Sequence, residues 1–372
     1  MPAREVRLSA VYRVSGDARK ARARAWEICL EQTVELPIDV IPPGFVCDQV
    51  VGRIESLRRQ AGGYRATISY AVGSVGRELP QLLNVLFGNT SIKPGVRLER
   101  LDLPPSVLRG FQGPRFGCAG LRRHLGVPRR PLLCAALKPM GLAAEGLAEL
   151  AYQFALGGID LVKDDHGLSD QPYARFEERV RLCASAVRMA NRRTGFRCAY
   201  VPNVTAPHDH LLERARFARR AGAGALLVCP GLTGLDAMRA VADDPRAALP
   251  VLSHPAFQGT YVLHPESGIS HYALFGQIAR LAGADASIYP NYGGRFSFTR
   301  DECRSIVEGC RAPMGRLRAI LPCPGGGMAL SRVPELLKFY GNDVILLVGG
   351  GLLTHGPDVQ ENCRVFRRMV GG

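Results

Sequence analysis

The chain is short of lysine, has no CxxC pair and carries no long apolar run. Each lack excludes something. Only five lysines occur in 372 residues, Lys20, Lys93, Lys138, Lys163 and Lys338, so a lysine at a motif position stands out from the background. The formal charge of +15 therefore rests on arginine, which is scattered along the chain and reads mostly as helix surface charge. No aromatic RNP-type motif and no zinc-finger spacing accompanies it, which argues against a nucleic-acid module. The 11 cysteines are irregularly spaced, odd in number and set in a long chain, so a disulfide framework is not expected and a reducing, cytoplasmic setting fits. There is no apolar run of roughly 18 residues, so no membrane span is expected. Residues 1–12 hold charges and no apolar segment of the kind a secretory signal has.

What is present is an ordinary globular composition, 47% apolar and 22% charged, in a chain long enough for two unequal domains. The first 115 residues mix both kinds of element. Strands are expected at 6–14, 47–57, 64–72 and 96–103, with a hairpin at Gly62-Gly63. Helices are expected at 17–30, with Asp17 as N-cap, and at 78–87, followed by a loop at 88–91. A stretch rich in Pro, Gly and Arg at about 105–130 reads as the junction, and the expected division is 1–115 and 116–372.

After Pro131 short apolar runs alternate with amphipathic ones. Strands are expected at 132–138, 159–163, 199–203, 226–229, 251–254, 286–289, 319–321 and 344–348, with a helix after each. Eight β-then-α units in that length predict an α/β fold whose second domain is a closed (β/α)8 barrel.

Chemistry in such a barrel collects at the C-terminal ends of the strands. The residues there are Lys138, Lys163 with Asp164-Asp165-His166, Asn203, His254, Asn291, and the triplets 325–327 and 349–351, all glycine. Side chains two apart on a strand share a face, so Lys163 and Asp165 point together and Asp164 points away. A carboxylate at that place suits Mg2+, which takes oxygen ligands. The competing reading is a surface ion pair. The glycine triplets follow the seventh and eighth expected strands, where barrels commonly hold phosphate, and bare backbone N–H groups approach an anion closely. The competing reading there is a flexible turn. His254 ends the fifth strand and His271 lies near a helix start; either serves chemistry or packing. His208 and His210 form an isolated HxH, a weak metal signal.

These motifs resemble those of RuBisCO and the RuBisCO-like proteins over nearly the whole chain. The run 157–165 resembles the strand bearing the family's metal site, and 136–139 its strand-one lysine motif. Phe87-Gly88-Asn89-Thr90 and Glu31-Gln32-Thr33 resemble two N-terminal segments that reach the partner subunit's active site. The resemblance implies an N-terminal α+β ferredoxin-like domain and a homodimer with active sites shared between subunits. It also implies a carbamate on Lys163 that binds Mg2+ with Asp165 and His166. Carbamylation needs the neutral amine. Lys138, Lys163 and His254 are the catalytic residues it implies, and Asn89, His271, Gly326, Gly327, Gly349 and Gly350 the substrate and phosphate contacts.

The departures restrict the activity. RuBisCO has a glutamate where this chain has His166, a lysine where it has Met140, and a loop-six lysine where 289–295 has none. Carboxylation is therefore not expected; enolisation is. The runs 163–171 and 293–296 look most like the 5-methylthioribulose-1-phosphate isomerase branch. The resemblance then implies proton transfer on a phosphorylated ketose through a metal-stabilised enediolate, with Lys138, the Lys163 carbamate and His254 as open choices for the base. The alternatives are the diketo-phosphate enolase of methionine salvage, a sugar-acid phosphate decarboxylase, and a non-catalytic homologue that binds a phosphate ligand.

Overall fold

A computed structural model describes residues 6–296 and 298–371. The chain opens with β1 (Arg7–Val14), the helix Ala18–Glu31, β2 (Arg53–Gln60), β3 (Gly63–Ala71), the helix Leu79–Phe87 and β4 (Val96–Asp102). The antiparallel sheet order β4-β1-β3-β2 is that of a ferredoxin-like βαββαβ unit. Asp17 caps the first helix, accepting the Lys20 N–H at 2.8 Å. Gly62 and Gly63, at φ +77° and +144°, turn the β2–β3 hairpin.

One strand is shorter than its pattern. Residues 46–50 leave the sheet as a π-helical turn, and β2 starts at Arg53. Gly52 lies against the backbone of Cys29, so the preceding segment is held on the helix Ala18–Glu31. The expected loop at 88–91 is a 3-10 turn, Asn89–Ile92, with the Thr90 N–H bonded to Gln32 Oε1 at 2.9 Å.

The barrel strands are β5 (Leu132–Leu137), β6 (Leu161–Asp164), β7 (Ala199–Val201), β8 (Leu226–Val228), β9 (Val251–Ser253), β11 (Ala286–Pro290), β12 (Leu321–Gly325) and β13 (Ile345–Val348). Parallel ladders run β13-β5-β6-β7 and β8-β9-β11-β12, and an Asn203–Leu227 bridge joins them. The remaining seam, β12 beside β13, has no ladder; Gly325 packs on Leu347 instead. That seam explains why the seventh strand runs later than 319–321. Pro322 and Pro324 look like strand breakers, but a strand hydrogen-bonded on one side only tolerates them.

β10 (Gly268–Ile269), between β9 and β11, was not expected. It leaves the barrel and pairs in parallel with β4 as the fifth strand of the N-terminal sheet. Gln277 ties the two parts further, accepting the Leu101 N–H at 2.8 Å and donating to the Leu101 carbonyl at 2.7 Å. At the other end of the barrel, Leu121 and Leu125 of the helix Gly117–Leu125 plug an apolar interior that includes Leu132, Leu161, Leu252 and Ile345. Among the described residues, no helix is long and apolar enough to cross a membrane.

Candidate active site at the barrel mouth

The alternation of β5 and β6 builds the site. Ala136 pairs with Lys163 across the ladder, and both face the interior. Lys138 and Asp165 lie one layer higher and form an ion pair. Lys163 is 2% exposed; its ammonium donates to the Asp164 carbonyl at 2.7 Å. Asp165 Oδ1 accepts the Gly167 N–H at 3.0 Å and lies 3.4 Å from His166 Nδ1. Burial alone would raise the Asp165 carboxyl. The Lys138 hydrogen bond, the Gly167 N–H and the Lys163 charge outweigh it and hold the group down at about 2.

His254 joins the cluster from the end of β9, its ring stacked on His166 at 4.5 Å and 15°. Burial, then the charges of Lys163 and Lys138, press its imidazolium well below the usual range, so the ring is neutral near pH 7. His254 Nδ1 accepts the Ala256 N–H at 3.2 Å, which leaves the ring proton on Nε2. His166 is lowered as well, by burial first and then by Lys163, Lys138 and Arg295 against the opposing pull of Asp165.

Asp164 points away, as its place in the strand requires. It is fully buried, paired with Arg179 at 3.2 Å, and accepts from the Tyr200 hydroxyl at 2.7 Å and the Asn203 N–H at 3.0 Å. Asn203 in turn donates to the carbonyls of His166 and Leu168 at 3.0 and 2.9 Å, pinning the loop that presents His166. No sequence signal marked this positioning role.

The glycine turns differ. Gly349 lies beside Lys138, a built Cβ falling 3.6 Å from Lys138 Cε, and Gly350 faces open space. Gly326 and Gly327, at φ +81° and +78°, are covered by the Phe296 ring and the Arg295 backbone. Arg295 is exposed, with no acidic partner among the described residues, and its charge is felt at His166.

Two expected residues lie apart from the cluster. His271 is buried where β10 meets the N-terminal sheet, edge-on to Phe298 at 4.4 Å and beside Arg97 and Glu302. Its imidazolium is lowered to about 4 by burial first, with Glu302 opposing. Asn89 sits on the N-terminal module, donating to Glu31 Oε1 at 3.2 Å, with Lys93 at 2.9 Å from the same carboxylate. The two segments expected to face a partner are thus assembled into one cluster.

Among the described residues, no three His, Cys, Asp or Glu side chains converge as a metal site. Asp165 and His166 supply two donors. A carbamate on Lys163 would add the anionic oxygens, and the set would then fit a divalent cation. A separate surface cleft of about 730 Å³ between the helices Phe176–Thr194 and His208–Ala221 holds none of these groups. Arg216 and Arg246 there are engaged by Asp244, and Arg175 by Asp170, so it is a charged groove.

The profile of the ribulose bisphosphate carboxylase large chain, catalytic domain, matches residues 117–364. The 5-methylthioribulose-1-phosphate isomerase of Rhodospirillum rubrum is 41% identical over 369 residues, 98% of this chain and 96% of that protein. The 2,3-diketo-5-methylthiopentyl-1-phosphate enolase of Bacillus pumilus is 32% identical over 329 residues, 86% and 80% of the two chains. The crystal structure of a RuBisCO-like protein from Rhodopseudomonas palustris superposes with a TM-score of 0.89 at 40% identity, covering 98% of each chain. With the barrel and its mouth, these matches place the chain in the RuBisCO large-chain family, among the RuBisCO-like proteins.

Proposed function

We propose that this chain is an isomerase that moves protons on a phosphorylated ketose of the 5-methylthioribulose 1-phosphate kind, and that it does not fix CO2. The observation that carries the reading is the joint placement of Lys138, Asp165, His166 and His254 above Lys163, with the open Gly349-Gly350 turn against Lys138. The identity to the R. rubrum isomerase, higher than to the B. pumilus enolase, favours it over the enolase.

In this reading the Gly349 and Gly350 amides receive the phosphate end. His254, neutral with its proton on Nε2, donates to the substrate's carbonyl oxygen as that oxygen gains charge. Lys138, in its neutral amine form, takes a proton from the adjacent carbon to form the enediolate, and a proton returned one carbon along moves the carbonyl by one position. Two such shifts carry it from beside the phosphorylated carbon to beside the thioether-bearing one, with no bond to phosphorus or sulfur broken. Asp165, His166 and a carbamate on Lys163 are the residues that would hold Mg2+. When bound, the ion supplies Lewis-acid polarisation of the carbonyl. The missing loop-six lysine at 289–295 is the reason for excluding carboxylation.

A shared-site homodimer belongs to the same proposal. Ile92, 83% exposed, and Leu36, Val40 and Phe45 are apolar and uncovered on the N-terminal module. Met140, Phe257 and Phe296 on loops, and Leu232 on the short helix Pro230–Thr233, are uncovered at the barrel mouth. A second copy that sets the Glu31–Asn89–Lys93 cluster over the mouth buries both surfaces.

Proton NMR in D2O with purified protein and 5-methylthioribulose 1-phosphate tests the activity. Deuterium uptake and a 1-thio-pentulose 5-phosphate product are expected. Neither appearing rejects the isomerase, and turnover of the diketo phosphate instead identifies the enolase.

A further inference from the structure

Arginines far apart in the sequence meet on one face of the molecule. The barrel strands run parallel, so the helices that follow them end on the face opposite the mouth, where the next strand begins. Arg115, Arg123, Arg129, Arg197, Arg219 and Arg318 lie on this floor, in helix ends and loops, and among the described residues none of them forms an ion pair. The aspartates of the same loops are already engaged. Arg130 holds Asp160 at 2.7 Å, Arg216 holds Asp244 at 2.6 Å, Arg122 holds Asp343 at 2.9 Å, and backbone N–H groups hold Asp285. The charge left over is positive.

Helix ends explain only part of it. A helix C-terminus carries roughly half a negative charge, which one arginine answers. The helices Phe176–Thr194 and His208–Ala221 each end on two, and Arg115, Arg129, Arg197 and Arg318 belong to no helix. The face is also continuous around the plug helix Gly117–Leu125. Arg318 lies against Gly117, Arg197 against Gly126, and the His124 ring reaches the Gly224 carbonyl at 2.8 Å. A basin of about 870 Å³ beside the plug is lined by Arg115, Arg123 and Arg318. Backbone fixes two of these side chains without neutralising them. Arg115 donates to the Ala242 and Asp243 carbonyls at 3.2 Å each, and Arg318 to the carbonyls of Pro114 and Arg115.

Such a face suits phosphate better than lipid or nucleobase. Among the described residues, no exposed large apolar side chain lies on its loops, so a membrane finds no anchor there. The Phe116 ring is edge-on to His124 at 5.7 Å and the Phe196 ring lies under Arg367 at 4.2 Å, so neither is free to stack a base. Guanidinium forks match phosphate oxygens. We propose that the floor of the barrel is a docking surface for inorganic polyphosphate, a linear anion that offers phosphate oxygens alone. It is independent of the reaction at the mouth.

Fluorescence anisotropy of end-labelled, medium-chain polyphosphate titrated with the full-length protein tests it. Binding is expected, weakening about tenfold or more between about 50 and 200 mM salt as counterions return to the chain. The triple variant Arg123→Gln, Arg129→Gln, Arg197→Gln is expected to bind about tenfold or more weakly, with the salt slope reduced by about one for each arginine removed. The triple variant Arg19→Gln, Arg58→Gln, Arg59→Gln removes the same charge from exposed sites on the N-terminal module. It is expected to bind within about twofold of wild type, since salt screens charges more than about 10 Å away. All six side chains are exposed and outside any ion pair among the described residues, so both variants are expected to keep the wild-type melting temperature. Absence of binding, or an equal loss in the two variants, overturns the proposal. So does tighter binding of a labelled RNA or of phosphatidylglycerol vesicles at the same phosphate concentration.

Discussion

Two adjacent aspartates with opposite duties show what single residues decide. Asp164 neutralises the fully buried Arg179, and removing it leaves an unpaired guanidinium inside the protein. Asp164→Ala is therefore expected to cost about 3–5 kcal/mol in denaturant unfolding. Asp165→Ala is expected to melt near the wild-type temperature and to lose turnover, because its partners Lys138 and His166 reach solvent. The reverse pattern would contradict the strand alternation on which the site depends. Lys138→Met is expected to lower deuterium uptake by the substrate about a hundred- to ten-thousand-fold, the usual worth of a positioned proton-transfer group. Uptake at the wild-type rate would remove Lys138 as the base and leave the Lys163 carbamate.

Among the elements, the loops after β11 and β12 act as one unit. Gly327 adopts φ +78° and leaves no space for a Cβ before the Arg295 backbone. Gly327→Ala is expected to cost about 1–3 kcal/mol from backbone strain. Urea unfolding of the variant checks this, and an unchanged stability would show that the turn relaxes to admit the Cβ. The β12 strand carries a lesson about reading sequence. The expected strand ended at 321, just before two prolines, yet the β12–β13 seam makes no ladder hydrogen bonds for them to interrupt. The two-residue β10 is too short for any periodic signal, and only its pairing with β4 defines it.

At the scale of the whole molecule, Asp285 ties the barrel to the plug beneath it. Its carboxylate accepts the Phe116 and Gly117 N–H groups at 2.7 Å each and the Val251 N–H at 3.0 Å. Burial nonetheless dominates and raises the carboxyl from 3.8 to about 6. The folded state thus holds this proton more tightly than the unfolded state does. Its contribution is fully present below about pH 4 and is lost as pH rises through about 6. The stability of the wild type relative to Asp285→Asn is expected to fall by up to about 3 kcal/mol between pH 4 and 7 in paired urea titrations. A difference independent of pH would show that folding leaves the proton affinity of Asp285 unchanged.

The sequence alone determined which side chains share a face. Periods of two and of three to four residues are local, so the β/α order, the Asp17 cap, the common face of Lys163 and Asp165 and the outward turn of Asp164 were all legible. Tertiary structure decided which faces meet. Closure of the barrel brought His254 from β9 onto His166 of the β6 loop, while the bond between β10 and β4 carried His271 away to Arg97. It also roofed one glycine turn with Phe296 and left the other open beside Lys138. Those outcomes depend on contacts between distant segments, whose mutual approach is set by packing and ladder register, and no local pattern in the chain encodes them.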